Sequence, residues 1–238
     1  MFPRPHIPPV KVPPIDVSAS TSRAFTLIEL LAVITIIGIL SAIVLATLST
    51  VRASAHRAKC LSNLRQIGIA AMAYSLDNKQ KPVPINFYRD DSTRYLLQYL
   101  PTLYSTPNSN SRQTSIWICP ADTREDKSGG GMSRQLSYGA NSKALGLVAN
   151  FDNPLLKSVD LVNRPSMKVY FADSRAYYMD TASGNQNARF RHDGGSDGES
   201  GTKDGGKINI LFFDYHVATK KFATKASFYV LANFDPST

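Results

Sequence analysis

The chain has 238 residues, and its 27 Lys and Arg outweigh 18 Asp and Glu to give a formal net charge of +9. Once an apolar segment is set aside, that length leaves one small domain with room for a modest core. Its two cysteines allow at most one disulfide, and no phosphate-binding glycine loop, nucleophile motif or paired zinc-ligand spacing occurs, so nothing argues for catalysis.

Residues 1–24 contain Pro3, Pro5, Pro8, Pro9, Pro13 and Pro14 and are not expected to fold. From Leu30 to Val51 there are 22 residues without a charge. At about 1.5 Å per residue a helix of that length spans roughly 33 Å, enough to cross a hydrocarbon core of about 30 Å. Glu29 stands immediately before the uncharged run. A charge beside a spanning segment is costly without a partner, so it is a functional candidate. The basic residues Arg4, Lys11 and Arg23 favour a cytoplasmic position for the N-terminal stretch. Arg52, Arg57, Lys59 and Arg65 follow the run and weaken that argument.

The hexad Ala24-Phe25-Thr26-Leu27-Ile28-Glu29, at the head of this span, resembles the processing site of type IV prepilins and type II secretion pseudopilins. The resemblance implies cleavage by a prepilin peptidase before Phe25 and methylation of the new amine. It also implies that the Glu29 carboxylate pairs with the Phe25 amine of a neighbouring subunit. A buried carboxylate is tolerable when it meets a fixed cation. The family prefers Gly before the cut, and here Ala24 stands there. A simple anchor explains the apolar run alone. A secretory signal explains Ala53-Ser54-Ala55, but its apolar core is only about 7 to 15 residues long.

After Val51 the pattern turns periodic. Leu61, Leu64, Ile67 or Gly68, Ala71 and Tyr74 share one helical face, with Arg57, Arg65 and Gln66 largely off it. One helix is therefore expected from about Phe25 to about Leu76, ending at Asp77-Asn78 and Pro82. The expected fold is α+β and pilin-like: one long N-terminal helix, half in the membrane and half amphipathic, packed on a small domain with an antiparallel sheet. The expected parts are a leader at 1–24, a membrane half at 25–51, an amphipathic half at 52–78 and an extracytoplasmic domain at 79–238.

Ser92 to Tyr104 reads as a short helix, Ile116 to Pro120 as an edge strand, and Gly129-Gly130-Gly131 as a loop. Met167–Asp173 and Lys207–Asp214 carry β-branched and aromatic residues and read as strands. Tyr215–Lys220 and Ser227–Leu231 could extend the sheet.

Cys60 and Cys119 pair in an oxidising compartment if they meet; otherwise they are two partly buried thiols. The region from Arg191-His192 to Asp214-Tyr215-His216-Val217 resembles the C-terminal part of a pseudopilin-like group with a His, about nine residues, then Asp-Gly. Here Tyr215 replaces the Gly, and 21 residues separate His192 from Asp214. Asp173, His192, Asp214 and His216 could bind a transition metal, although strand-end Asp and His more often fasten loops. Asp193, Asp197, Gly198, Glu199 and Asp204 fall at calcium-loop positions, a poor match because position 3 is Gly195 and no helices flank it. Major pseudopilins of the secretion family bind Ca²⁺ in their C-terminal region, so the resemblance makes Ca²⁺ a candidate there. The expected partners are other pilin or pseudopilin subunits, the peptidase and inner-membrane lipid. The positive charge near the span suits lipid head groups better than nucleic acid.

Overall fold

A computed structural model describes residues 25–85, 96–100, 116–123, 136–145, 156–179, 187–192 and 205–231. Its helix α1 runs from Leu27 to Asp77, and its contacts divide the chain into one unit up to Thr47 and a second from Leu48.

In the first unit α1 is mostly apolar and its side chains are exposed, and the helix is long and apolar enough to cross a membrane. Two of its few polar side chains turn back onto their own helix. Thr35 Oγ1 donates to Ala32 O at 2.8 Å, and Thr47 Oγ1 donates to Val44 O at 3.1 Å. Hydroxyls satisfied within the helix cost little in hydrocarbon, where an unpaired donor costs several kcal/mol.

In the second unit α1 buries Cys60, Asn63, Leu64, Ile67, Gly68, Ala71 and Tyr74, the face expected from the spacing, with Leu61 only half-buried. The helix ends where Gln80 N–H reaches back to Ser75 O at 2.7 Å and Lys79 turns left-handed at φ 57. That six-to-one closure ties off the last turn, and Asn78 Nδ2 gives Tyr74 O a second donor beside the Asn78 backbone N–H.

The sheet has five strands: β1 (Tyr138–Asn141), β2 (Val169–Asp173), β3 (Tyr178–Met179), β4 (Gly206–Phe212) and β5 (Val217–Phe222), in the order β3-β1-β2-β4-β5. The pairs β1–β2, β2–β4 and β4–β5 are antiparallel, while the edge pair β1–β3 is parallel. On one side Tyr170, Leu211 and Phe213 pack with Leu64, Ile67 and Ala71 of α1 and with Trp117. On the other, Ile208, Ile210 and Phe212 pack with Phe190, Phe222, Phe228 and Tyr229. Alternation along β4 thus feeds two cores, as a two-sided strand must.

Two local expectations are corrected. Ser227–Leu231 does not extend the sheet; α3 runs Lys225–Leu231, with Ser227 N–H donating to Thr224 Oγ1 and Thr224 N–H donating to Ser227 Oγ. This reciprocal cap starts a helix whose Phe228 fits edge-on between Phe190 and Phe222. Ile116–Pro120 is a buried turn rather than an edge strand, because Asp122 N–H closes on Cys119 O and Asn63 Nδ2 takes Ile118 O. The expected helix at Ser92–Tyr104 falls mostly outside the described residues, which contain a 3₁₀ turn at Leu97–Tyr99. The Gly129-Gly130-Gly131 loop also lies outside them.

Gly139 sits where β1 passes closest to the segment leaving β2. A Cβ there would lie 2.5 Å from Ala176 O and 2.8 Å from the Ser174 side chain. The obstruction includes backbone, so it cannot rotate away. Gly139→Ala should destabilise the domain by about 1–3 kcal/mol, read as a lower denaturation midpoint; an unchanged midpoint would refute the close packing.

Candidate functional site

The N-terminal candidate begins at the first turn of α1. Thr26 N–H donates to Glu29 Oε2 at 2.9 Å, Thr26 Oγ1 donates to the same oxygen at 2.7 Å, and Glu29 N–H returns to Thr26 Oγ1 at 3.3 Å. This is a capping box: two side chains satisfy each other's orphan donors, and a carboxylate sits at the positive end of the helix dipole. Phe25 is 73% exposed, and Leu27 and Ile28 are exposed beside it. Ala24 lies outside the described residues. The Thr-x-x-Glu signature is legible in the sequence, yet the family resemblance assigns Glu29 only its intermolecular role.

The second candidate is a buried polar cluster at the ends of β2 and β4. Asp173 closes β2, His192 forms a lone bridge to Lys207, and Asn209 lies within β4; all three are buried. His192 Nε2 lies 3.1 Å from Asp173 Oδ2 and 2.8 Å from Asn209 Nδ2. Asp173 Oδ2 also accepts the Asn209 N–H at 2.8 Å. Thr219 on β5 holds Asn209 Oδ1 at 2.7 Å. The Cys60–Cys119 disulfide, with Cα atoms 5.0 Å apart, ties α1 to the 116–123 segment, and Cys119 Sγ lies 3.8 Å from His192 Nε2.

Beside it, Arg191 bridges three segments. Its Nη1 lies 3.3 Å from Asp122 Oδ2 and 3.2 Å from Ser137 O, and its Nη2 lies 2.9 Å from Ser174 O. Ser137 Oγ donates to the same Asp122 oxygen. The sequence pattern does not single out Arg191, Asp122, Ser137 or Asn209; only adjacency to His192 points to Arg191. Burial pushes the phenol of Tyr138 well above its ordinary pKa, so it stays a neutral donor to Cys60 O.

Asp214 and His216 form a separate pair on the β4–β5 turn. His216 N–H donates to Asp214 Oδ1, the ring nitrogen Nδ1 meets the same oxygen, and the ring stacks on Phe212 at 4.3 Å. The pair is partly exposed and fastens a tight turn in which Tyr215 adopts φ 67. Asp173, His192, Asp214 and His216 therefore do not assemble as one ligand set. Among the described residues the group with donor atoms close enough for a metal is Cys60, Cys119 and His192. Asp193, Asp197, Glu199 and Asp204 lie outside the described residues.

A membrane-length apolar helix with a capped acidic start, joined in one chain to a small disulfide-tied α+β domain, gives a pilin-like build and fits a membrane-anchored protein. Residues 20–45 match the family described as the prokaryotic N-terminal methylation motif, which fits a type IV prepilin or pseudopilin-like protein. No curated protein and no solved structure matches the chain.

Proposed function

We propose that the chain is a pseudopilin-like structural subunit, cut before Phe25 and N-methylated there by a prepilin peptidase. It assembles with other pilin or pseudopilin subunits into a type II secretion or type IV pilus-like fibre, and its work is polymerisation rather than chemistry. The observation that carries this reading is the methylation motif at residues 20–45, which overlaps the start of a helix uncharged from Leu30 to Val51. Residues 1–24 are the leader and 25–51 cross the bacterial inner membrane. Residues 52–78 are the amphipathic half of the helix, and 79–238 form the extracytoplasmic domain. Ile69, Met72 and Leu76 leave an exposed apolar row on α1, a surface suited to packing against another subunit.

Intact-mass and terminal-peptide analysis of the protein purified from membranes tests the reading. The expected chain starts at N-methylated Phe25. A chain retaining residues 1–24 in cells with an active prepilin peptidase would sink it, and a start just after Ala55 would mean a secreted soluble protein.

A further inference from the structure

The exposed carboxylates of the second unit gather in one place. Among its described residues Asp77, Asp122, Asp160, Asp173 and Asp214 are the acidic ones, and Asp122 and Asp173 are buried. Asp160 and Asp214 line a groove of about 530 Å³, and Asp77 ends α1 beside the lining residue Leu76. Met72, Leu76, Val159 and Phe213 give the groove an apolar floor. Asp77 accepts from the Tyr99 hydroxyl and Asp214 holds His216, which leaves Asp160 without a cationic partner among the described residues. The walls are held in an unusual backbone. Among the described residues the non-glycine positions with positive φ are Lys79, Gln80, Arg164 and Tyr215. Gln80 and Tyr215 line the groove, and Lys79 and Arg164 directly precede its lining residues Gln80 and Pro165. Such strain persists only where the surroundings fix it, and it concentrates at binding sites.

The same chain carries a surface that fits. From Leu30 to Leu76 α1 has no carboxylate, while Arg52, Lys59 and Arg65 are exposed along it. Cys60 is the first residue of α1 that the domain buries. The stretch from Ser49 to Lys59 is exposed apart from half-buried Arg57, so its own domain does not cover it. Arg52, Ala55, His56 and Lys59 are spaced to share one face of the helix. Neither Arg52 nor Lys59 has a carboxylate partner among the described residues. A helix face of this kind, basic with a small residue at its middle, suits an acid-rimmed apolar groove.

We propose that the groove receives the Arg52–Lys59 face of α1 from a second copy of this chain, with Lys59 meeting Asp160. The inference rests on reading the chain as a fibre subunit, and it supplies that fibre with a specific contact. The two surfaces are unlike and stand roughly 30 Å apart along α1, taken from His56 to Leu76 at about 1.5 Å per residue. A contact between unlike surfaces is heterologous, and when it does not close on itself it builds an open filament. With the helices parallel, as a shared membrane requires, joined copies are staggered by that distance. Without a stagger, Arg52, Lys59 and Arg65 of one copy would face the same residues of the next, and like charges across a contact repel.

Cells making the full chain give the test. Ala55→Cys and Asp160→Cys in one chain, treated with a short bis-maleimide, should yield a ladder of crosslinked oligomers. The native cysteines are tied to each other and do not compete. Each substitution alone should yield no crosslink, and the two single variants made together should stop at dimers. A double variant that also stops at dimers overturns the proposal, because the contact is then isologous. Crosslinks from Asp160→Cys to another protein, with none to Ala55→Cys, overturn it too. Charge exchange is the second arm. Lys59→Glu and Asp160→Lys should each lower oligomer yield by about tenfold or more, and the chain carrying both should recover most of it. Two losses without recovery sink the pairing. If the Asp160 variants do not accumulate, Val159→Cys with Ala55→Cys reads the same contact. Unmutated chain that starts at N-methylated Phe25 and forms fibres, with no ladder from the cysteine pair, refutes the contact alone. Unmutated chain that keeps residues 1–24 or forms no oligomer refutes the subunit reading with it.

Discussion

Glu29→Ala should abolish fibre assembly while leaving the protein in the membrane, and Glu29→Gln should separate the two tasks of this side chain. In the isolated chain the carboxylate caps α1 through Thr26, which accounts for its local contacts. A glutamine three residues after a threonine cap fills the same box, so Glu29→Gln keeps the cap. It cannot keep the negative charge. Losing a cap costs about 0.5–2 kcal/mol, and here it frays one end of a long helix. In the proposed fibre, losing the charge would leave the Phe25 amine of the next subunit buried without a counter-ion. Removing one partner of a buried pair costs about 3–5 kcal/mol. At about 1.4 kcal/mol per tenfold, that weakens each subunit contact by about a hundred- to several-thousandfold. Repeated at every subunit, such a loss ends polymerisation. The measurement is sheared-fibre yield or crosslinked-oligomer ladders in cells carrying each variant, with membrane abundance as control. Loss with both Ala and Gln supports the charge pairing. Normal assembly with Gln and failure with Ala would assign Glu29 to capping alone and remove the intermolecular ion pair.

The parts of the fold that periodicity encodes are legible in the amino-acid order itself. The uncharged run and the spacing of Leu64, Ile67, Ala71 and Tyr74 place α1 to within two residues at its N-terminus and one at its C-terminus. The β-branched and aromatic stretches mark β2, β4 and β5. What stays hidden has particular causes. Strand β1 reads Tyr-Gly-Ala-Asn, three of whose residues are poor strand formers; it is a strand because β2 and β3 flank it and Gly139 lets it fit. The α3 segment is a short apolar run, which period alone cannot assign, and its Thr-x-x-Ser start is the available clue.

The motif departures have physical readings too. Tyr215, standing where the group that its C-terminal part resembles has Gly, occupies a left-handed position at φ 67 that favours glycine. The ring offsets that strain by meeting Tyr170 edge-on and donating to Ser75 Oγ at 3.3 Å, so the turn is stapled to α1. The candidate site is half legible. His192 and Asp173 stand out as polar strand-end residues and lie together, but nothing in the spacing places the disulfide or Asn209 beside them. Those contacts join residues 17 to 73 positions apart, through strand register and a turn that patterns do not encode.

Asp122→Ala should be among the most destabilising single changes in the domain that leave the disulfide intact. Asp122 and Arg191 have side chains only 1% exposed, so neither charge has much water to fall back on. The guanidinium also holds Ser137 O and Ser174 O, which brings the 116–123 turn, the approach to β1 and the end of β2 to one point. Removing the carboxylate leaves a buried cation and deprives Ser137 Oγ of its acceptor. The expected cost is about 3–5 kcal/mol. For a domain of this size, at about 2–4 °C per kcal/mol, that lowers the melting temperature by about 6–20 °C. Asp122→Asn keeps an acceptor oxygen for Ser137 and Arg191 and should lose less. The informative companion is the double change Asp122→Leu with Arg191→Met, which removes both charges and fills their volume. If the cost of the single variant is that of an unpaired buried cation, the double variant recovers much of the lost stability despite the altered packing on each side. Chemical denaturation of the three variants in detergent distinguishes the cases. A loss under about 0.5 kcal/mol for Asp122→Ala, the range of ordinary surface changes, would show that the pair does not hold these segments together. A double variant worse than the single would place the stabilisation in the geometry of the Arg191 hydrogen bonds to Ser137 O and Ser174 O, rather than in charge compensation.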